Sequence, residues 1–400
     1  MTKKLVSFDD VTNRLPAAVE SLLNATLARV SQARPGNAAV FLGDSITAGS
    51  IDETNHAYGA SWPTFACGFS GQRIQYVYNA GVPGNNSGQM LDRIQADVIA
   101  RAPQLCTLMA GTNDIGNNVP FATYQANVRA IVTALRTAGI VPVICTIPPN
   151  ADAARHGRIS QWNGWLKRYA ASLGLILLDT HGVLVDPATA GAYLAAYNGD
   201  GTHPNMAGTL AVGQYVATNL APLLPTFTPL LTDMQADPSN LLTGGLFAVD
   251  SNADGYADGW VQYGGAVPGA TPSLVTDAAV KGKMQRVTQV ATTSNSYVSQ
   301  SIAPPKYTSG DRLLLTAVVT SDGGVSAQIT VNSYGGTDKV FKPLSDVTAV
   351  LTRVLVYQEF TPPTGSVDLD IVLTAGPGTG VVDWGQIGVF NLTALGIATP

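Results

Sequence analysis

The chain has 400 residues, of which 46% are hydrophobic and 12% charged. That is about half the charge of an ordinary soluble domain, with enough apolar material for sizeable cores, so a solvated disordered chain is excluded and two domains are expected. A net charge of −5 leaves no basic field to hold a polyanion, so nucleic acid is not expected as a partner.

The opening MTKKLVSFDD has two lysines but no apolar stretch behind them, which predicts no secretory leader at that point. No apolar run approaches the ~18 residues of a membrane span. The expected location is the cytoplasm, or the cell exterior or a virion surface reached without a signal. Residues 1–35 read as an arm and an amphipathic helix, with Leu15, Val19, Leu22, Leu23, Leu27 and Val30 on one face. Such a helix packs on the following domain or, alternatively, joins copies of the chain.

Residues 36–228 alternate short apolar runs with helical periodicity. Strands are predicted at 38–45, 73–81, 104–111, 141–149 and 175–180, and helices at 88–101, 121–138, 159–173 and 206–220. Near-continuous apolar strands separated by helices predict a parallel sheet covered on both faces, with ligands bound beyond the carboxyl ends of its strands. Cys106 and Cys145 lie inside the apolar runs and read as buried thiols, since three cysteines make no disulfide framework. Pro222, Pro225 and Pro229 then mark a linker. Over 229–400 the period changes to two, with strands predicted at 284–290, 312–320, 325–333, 347–360, 367–373 and 381–392, an all-β sandwich.

Four motifs fall at predicted strand ends or in the last loop of the first domain: Gly43-Asp44-Ser45, the run Asn79 to Ser87, Gly111-Thr112-Asn113-Asp114, and Asp200-Gly201-Thr202-His203-Pro204-Asn205. A serine hydroxyl attacks only when a neighbouring base takes its proton, and His203 suits that task. Asp200 can accept the other ring N–H and fix the tautomer. The Ser45 amide, a glycine amide of the second loop and the Asn113 side chain can then hold an oxyanion. His56, His156 and His181 compete as the base, and His181 is the strongest rival because Asp179 precedes it by two residues. Asp44 and Asp114 read as loop supports. No G-x-S-x-G elbow is present, which argues against the larger α/β-hydrolase class.

In that order, the four motifs make residues 38–224 resemble the SGNH (GDSL) hydrolases, whose blocks carry Ser, Gly, Asn and His. The resemblance implies a flavodoxin-like three-layer α/β/α sandwich and a serine esterase needing no cofactor for catalysis. It implies Ser45 as nucleophile, Asp200 and His203 as the rest of the triad, and Asn113 in the oxyanion hole. The family pattern favours Gly84 over Gly81 as the glycine donor.

The second domain opens with Asn240-Leu241-Leu242-Thr243-Gly244-Gly245-Leu246-Phe247. Asp250, Asn252, Asp254 and Asp258 follow at alternating positions around Gly255, as in a calcium loop, although Val261 stands where an EF-hand has its Glu. Structural calcium and an Asx-rich turn both remain open. The segment resembles the jelly-roll carbohydrate-binding modules. Trp260, Tyr263, Tyr297, Tyr334 and Trp384 are the candidates for stacking on sugar rings, although for any single one the sandwich core is the better reading. Together these readings predict an esterase that removes O-acetyl groups from a polysaccharide, with a phage-tail or virion setting as one home for it and homo-oligomer or virion assembly as a further partner class. A general short-chain esterase or lipase, and a glycan-binding or structural module with an incidental hydrolase domain, are the alternatives.

Overall fold

The computed structural model describes residues 37–49, 61–189, 191–335 and 339–397. The helix expected within residues 1–35 lies outside them, as does His56.

Five strands form one parallel sheet: β1 (Ala38–Gly43), β2 (Gln75–Gly81), β3 (Leu105–Leu108), β4 (Val141–Cys145) and β5 (Ile176–Leu178). Their order is β2-β1-β3-β4-β5, the flavodoxin-like arrangement. Alternation along β1 explains the two covering layers. Val40 and Leu42 face one core with Met90, Tyr124, Val128 and Trp162. Ala39 and Phe41 face the other with Trp62, Ala66, Val212 and Val216. The first layer is therefore carried by the helices Phe121–Thr137 and Ala153–Leu173, and the second by Trp62–Phe69 and Met206–Leu220. The strand order reverses between β1 and β3, so a crevice opens at their carboxyl ends.

The rest is antiparallel. Strands β6 (Val261–Tyr263), β7 (Ala270–Val275), β8 (Met284–Thr292), β9 (Ser296–Ile302) and β10 (Leu313–Asp322) are followed by β11 (Ala327–Tyr334), β12 (Lys339–Val347), β13 (Val350–Phe360), β14 (Asp368–Ala375) and β15 (Gly378–Asn391). They form two five-stranded sheets, β13-β10-β15-β8-β7 and β12-β11-β14-β9-β6. Period-two residues from both, among them Leu313, Leu315, Ile329, Val331, Ile371, Leu373 and Val389, fill a single core. Trp260 and Trp384 are part of it, which removes both from the sugar-stacking candidates. Tyr263 and Tyr334 are exposed, and Tyr297 is half-buried with its ring edge-on to Tyr263 at 6.1 Å.

The sandwich sits against the hydrolase half. Phe65 and Leu210 belong to the sandwich core cluster, and Gln72 Nε2 donates to the Leu355 carbonyl at 3.2 Å. The proline-rich connection is pinned as well, because Arg73 Nε donates to Leu224 O at 3.0 Å and Asn37 Nδ2 to Pro225 O at 3.0 Å.

Candidate active site

The central strand β1 runs straight into the site. Every residue from Ala38 to Ala48 is buried except Ser45, which is half-buried at the end of the strand. Asp44 caps the short helix Ser45–Ala48 by accepting from the Ile46 amide at 3.0 Å. The cap presents Ser45 on the first turn, where backbone N–H groups have no partner inside the helix.

Ser45 Oγ lies 2.8 Å from His203 Nε2, and His203 Nδ1 lies 2.8 Å from Asp200 Oδ2. The other Asp200 oxygen accepts from the Thr202 and His203 amides at 2.9 and 2.8 Å. These bonds, the His203 amide foremost and the His203 ring next, hold the Asp200 carboxyl far below the usual carboxylate range although it is exposed. The loop bearing both residues is tied down by Tyr193, whose hydroxyl donates to the Thr202 carbonyl at 2.7 Å. Just beyond it, Asn205 caps the helix Met206–Leu220 by accepting from the Gly208 amide.

The second and third loops meet beside Ser45. Asn113 Nδ2 donates to Asn85 O at 3.0 Å and points at Asp44 Oδ2 at 3.4 Å. Gly81 has its amide committed to Asn79 Oδ1 at 2.9 Å, and a Cβ on it would collide with the Ala48 backbone nitrogen. Gly81 therefore lets β2 approach the nucleophile helix. Gly84 differs: it is exposed, has φ of +79°, and faces open space where a Cβ would stand. Asp114 is buried and accepts from Ser87 N and Oγ at 2.9 and 2.5 Å, which ties the second loop to the third. Asp44 is also fully buried, and burial pushes its carboxyl up to about 6 against the Ile46 amide and the nearby His203, which act the other way. Both aspartates are loop supports, as the sequence reading has them. Arg93, which the sequence reading missed, donates to Asn85 Oδ1 at 2.8 Å and to the Gly43 carbonyl at 2.9 Å, bracing the first two loops. An arginine within the predicted helix 88–101 gave no signal that it turns inward.

The two rival histidines among the described residues, His181 and His156, are occupied elsewhere. His181 Nδ1 meets the Ile147 carbonyl at 3.0 Å, while Asp179 engages Thr146 and Lys167. Burial lowers the His181 pKa. His156 Nε2 meets the Asn150 carbonyl at 2.7 Å. Cys67, Cys106 and Cys145 are free and buried, and burial pushes the Cys106 thiol up to about 12.

In the second half, Asp250, Asn252, Asp254 and Asp258 bond within their own loop. Asp250 accepts from the Gly255 amide at 3.0 Å, Asp254 from Tyr256 at 2.8 Å and Asp258 from Ser251 at 2.9 Å, while Asn252 donates to Asp254 at 2.9 Å. Among the described residues no three or more His, Cys, Asp or Glu side chains gather to hold a metal ion. No described helix is long and apolar enough to cross a membrane.

A serine, an imidazole and a carboxylate in one hydrogen-bonded line, at the carboxyl edge of a flavodoxin-order sheet, is the architecture of a serine hydrolase. Residues 41–211 match the GDSL-like Lipase/Acylhydrolase family, so this part of the chain is similar to that family of ester-hydrolysing enzymes. An acetylxylan esterase of Geobacillus stearothermophilus is 26% identical over 204 residues, which make up 45% of this chain and 91% of that protein. Among solved structures, one described as a lipolytic protein of the G-D-S-L family from Desulfitobacterium hafniense is 25% identical. It covers 46% of this chain and 100% of its own, with a TM-score of 0.41. An acetyl xylan esterase structure from Geobacillus stearothermophilus is 20% identical, covering 49% of this chain and 100% of its own with a TM-score of 0.43.

Proposed function

We propose that the protein is a carbohydrate O-acetylesterase working through a Ser45–His203–Asp200 triad. Ser45 Oγ attacks the acetyl carbonyl carbon while His203 Nε2 takes the hydroxyl proton, and Asp200 holds the imidazole in the required tautomer. The Ser45 amide, the Gly84 amide and Asn113 Nδ2 hold the oxyanion. Collapse of the tetrahedral intermediate expels the sugar hydroxyl, which leaves with the proton from His203. Water, deprotonated in turn by His203, attacks the acetyl-serine, releases acetate and restores the hydroxyl.

The observation that carries this reading is the unbroken Ser45–His203–Asp200 line at 2.8 Å for each bond. The acetyl preference draws its support from the acetylxylan esterase relative. Support for a sugar substrate comes from the appended sandwich, where Tyr263 and its neighbour Tyr297 offer aromatic surface at the β6 edge.

Acetate release from a panel of O-acetylated polysaccharides tests this, with Ser45→Ala as control. Release is expected from wild type and a loss of about 10⁴-fold or more in the variant. Cleavage of aryl acetates with no release from any glycan would replace the carbohydrate reading with a general short-chain esterase. Equal rates in wild type and Ser45→Ala would remove the serine mechanism.

A further inference from the structure

The second loop of the site begins as a tight turn. The Asn85 amide donates to the Val82 carbonyl at 3.2 Å, with Pro83 and Gly84 between them. Gly84, at φ of +79°, occupies the third position, where such a turn calls for glycine. Both ends of the turn are held. The Val82 amide donates to the Gly43 carbonyl at 3.1 Å, two residues before Ser45. At the other end Arg93 Nε donates to Asn85 Oδ1 at 2.8 Å, and the Asn85 carbonyl accepts from Asn113 Nδ2 at 3.0 Å.

Arg93 joins these ends. Its Nη2 donates to the same Gly43 carbonyl at 2.9 Å, and its Nη1 to Asp97 Oδ2 at 2.7 Å. The side chain is 17% exposed and leaves the backbone at the junction of the short helices Ser87–Asp92 and Ile94–Asp97. Three nitrogens of one planar group thus serve three separate acceptors, with Asp97 fixing the plane from one turn along the chain. A guanidinium is a rigid fork, so it transmits position in a way that a flexible ammonium does not. Arg73, also turned inward, spends its Nε and Nη2 on the Leu224 and Pro225 carbonyls of the connection between the two halves. Arg93 instead holds one group from each of the first two loops of the site. Every oxyanion donor of the esterase reading hangs on those two groups. The Ser45 amide follows Gly43 by two residues, Gly84 precedes Asn85 in the turn, and the Asn85 carbonyl aims Asn113 Nδ2.

We propose that Arg93 is the positioning residue of the oxyanion hole. It touches no substrate. Through the Gly43 carbonyl and the Asn85 side chain it sets the spacing of the three donors, so its effect is felt when negative charge develops on the carbonyl oxygen. The inference rests on the esterase reading.

The test uses an aryl acetate as substrate, with Arg93→Lys and Asn85→Ala as variants. Arg93→Lys keeps a cation beside Asp97 and loses the fork. Asn85→Ala keeps the carbonyl that meets Asn113 and removes only the amide that Arg93 grips, so it carries the test even if Arg93→Lys does not fold. In Arg93→Lys kcat falls by about tenfold or more with KM within about twofold, and in Asn85→Ala it falls less, because an interaction made only in the transition state has been weakened. The readout that separates positioning from bracing is a double-mutant cycle with Asn113→Ala. Once that donor is gone, either variant costs at least about threefold less in kcat/KM than it does in wild type. Losses that simply multiply, or a kcat within about twofold of wild type in the variants, overturn the proposal. Ser45→Ala keeps the two readings apart. Turnover that depends on Ser45 with multiplying losses removes only the role of Arg93, whereas no turnover by wild type, or equal turnover in Ser45→Ala, removes the esterase and this inference with it.

Discussion

Asp44 gives the sharpest test of how the site is held together, and Asp44→Asn is the perturbation. Its carboxylate has two acceptor oxygens in use: Oδ1 takes the Ile46 amide at 3.0 Å, and Oδ2 faces the Asn113 amide at 3.4 Å. A side-chain amide has only one acceptor. Either it caps Ile46 and turns its own NH₂ on Asn113, or it serves Asn113 and uncaps the nucleophile helix. Both orientations disturb the position of the oxyanion donor without removing it. The expected loss in kcat/KM on an aryl acetate is about tenfold, below the 10²–10³ that follows outright deletion of such a donor.

Stability should move the other way. Burial raises the Asp44 carboxyl from 3.8 to about 6. Below pH 3.8 the group is protonated in the folded and the unfolded chain alike. Between 3.8 and about 6 the unfolded chain releases the proton while the folded one keeps it, so stability falls as pH rises through that window. At about 1.4 kcal/mol for each pH unit, the penalty standing above pH 6 is about 3 kcal/mol. Asn carries no such penalty. Urea unfolding at pH 4.5, 5.5, 6.5 and 7.5 should therefore show the variant gaining on wild type as pH rises, by about 2 kcal/mol across the series, since about 1 kcal/mol of the penalty is already present at the lowest pH. A difference that stays flat with pH, or a kcat/KM within twofold of wild type, would refute the argument.

Two further outcomes follow from named contacts. Asp200→Asn places an NH₂ against His203 Nδ1, which sits 2.8 Å from the present carboxylate, so the ring takes the tautomer whose Nε2 cannot accept from Ser45. A fall in kcat/KM of about 10²- to 10⁴-fold is expected with little change in melting, and a loss under tenfold would show that Asp200 does not set the tautomer. Phe65→Ala empties a fully buried position in the sandwich core cluster. It should cost about 3–5 kcal/mol in urea unfolding, and a cost below about 1 kcal/mol would mean that the contact between the two halves is not a packed one.

The site was legible because its residues sit where local sequence and backbone geometry coincide. Ser45, Asn113 and His203 each follow a short apolar run or precede a helix, so a strand end or a cap fixes their place before any long-range contact forms. Resolution was lost where tertiary contacts act on the backbone. The predicted helix 88–101 is broken into Ser87–Asp92, Ile94–Asp97 and a 3₁₀ turn at Ile99–Arg101. The first break falls at Arg93, the residue drawn in to the Gly43 carbonyl. The helix predicted from 159 begins at Ala153, capped by Asp152. In the sandwich, β6, β7 and β12 were missed because all three are edge strands with exposed positions and weak alternation. Strand β9 was missed for another reason. Ser296 and Gln300 are buried in alternation with Val298 and Ile302, and Gln300 donates to Thr243 O and Gly259 O at 2.9 and 2.8 Å, so half of its inward face reads as polar in sequence.

The helix Trp62–Phe69 shows the limit most clearly. Its start carries a readable signal, since Ser61 caps it and Pro63 stands in the first turn. What hid it is the absence of a polar face: residues 62–68 are all buried, so no 3.6-residue alternation exists to detect. The reason is architectural. Trp62 and Ala66 pack on the parallel sheet, while Phe65 joins the sandwich core and a Cβ on Gly68 would collide with the Val354 side chain. A helix covered on both sides carries the sequence of a core rather than of a surface, and its uniform burial is the trace that the second domain leaves in the first. The sandwich is thus braced against the layer that packs beneath β1, the strand that delivers Ser45, and the distance between the β6 edge and Ser45 is set by packing rather than by a free linker.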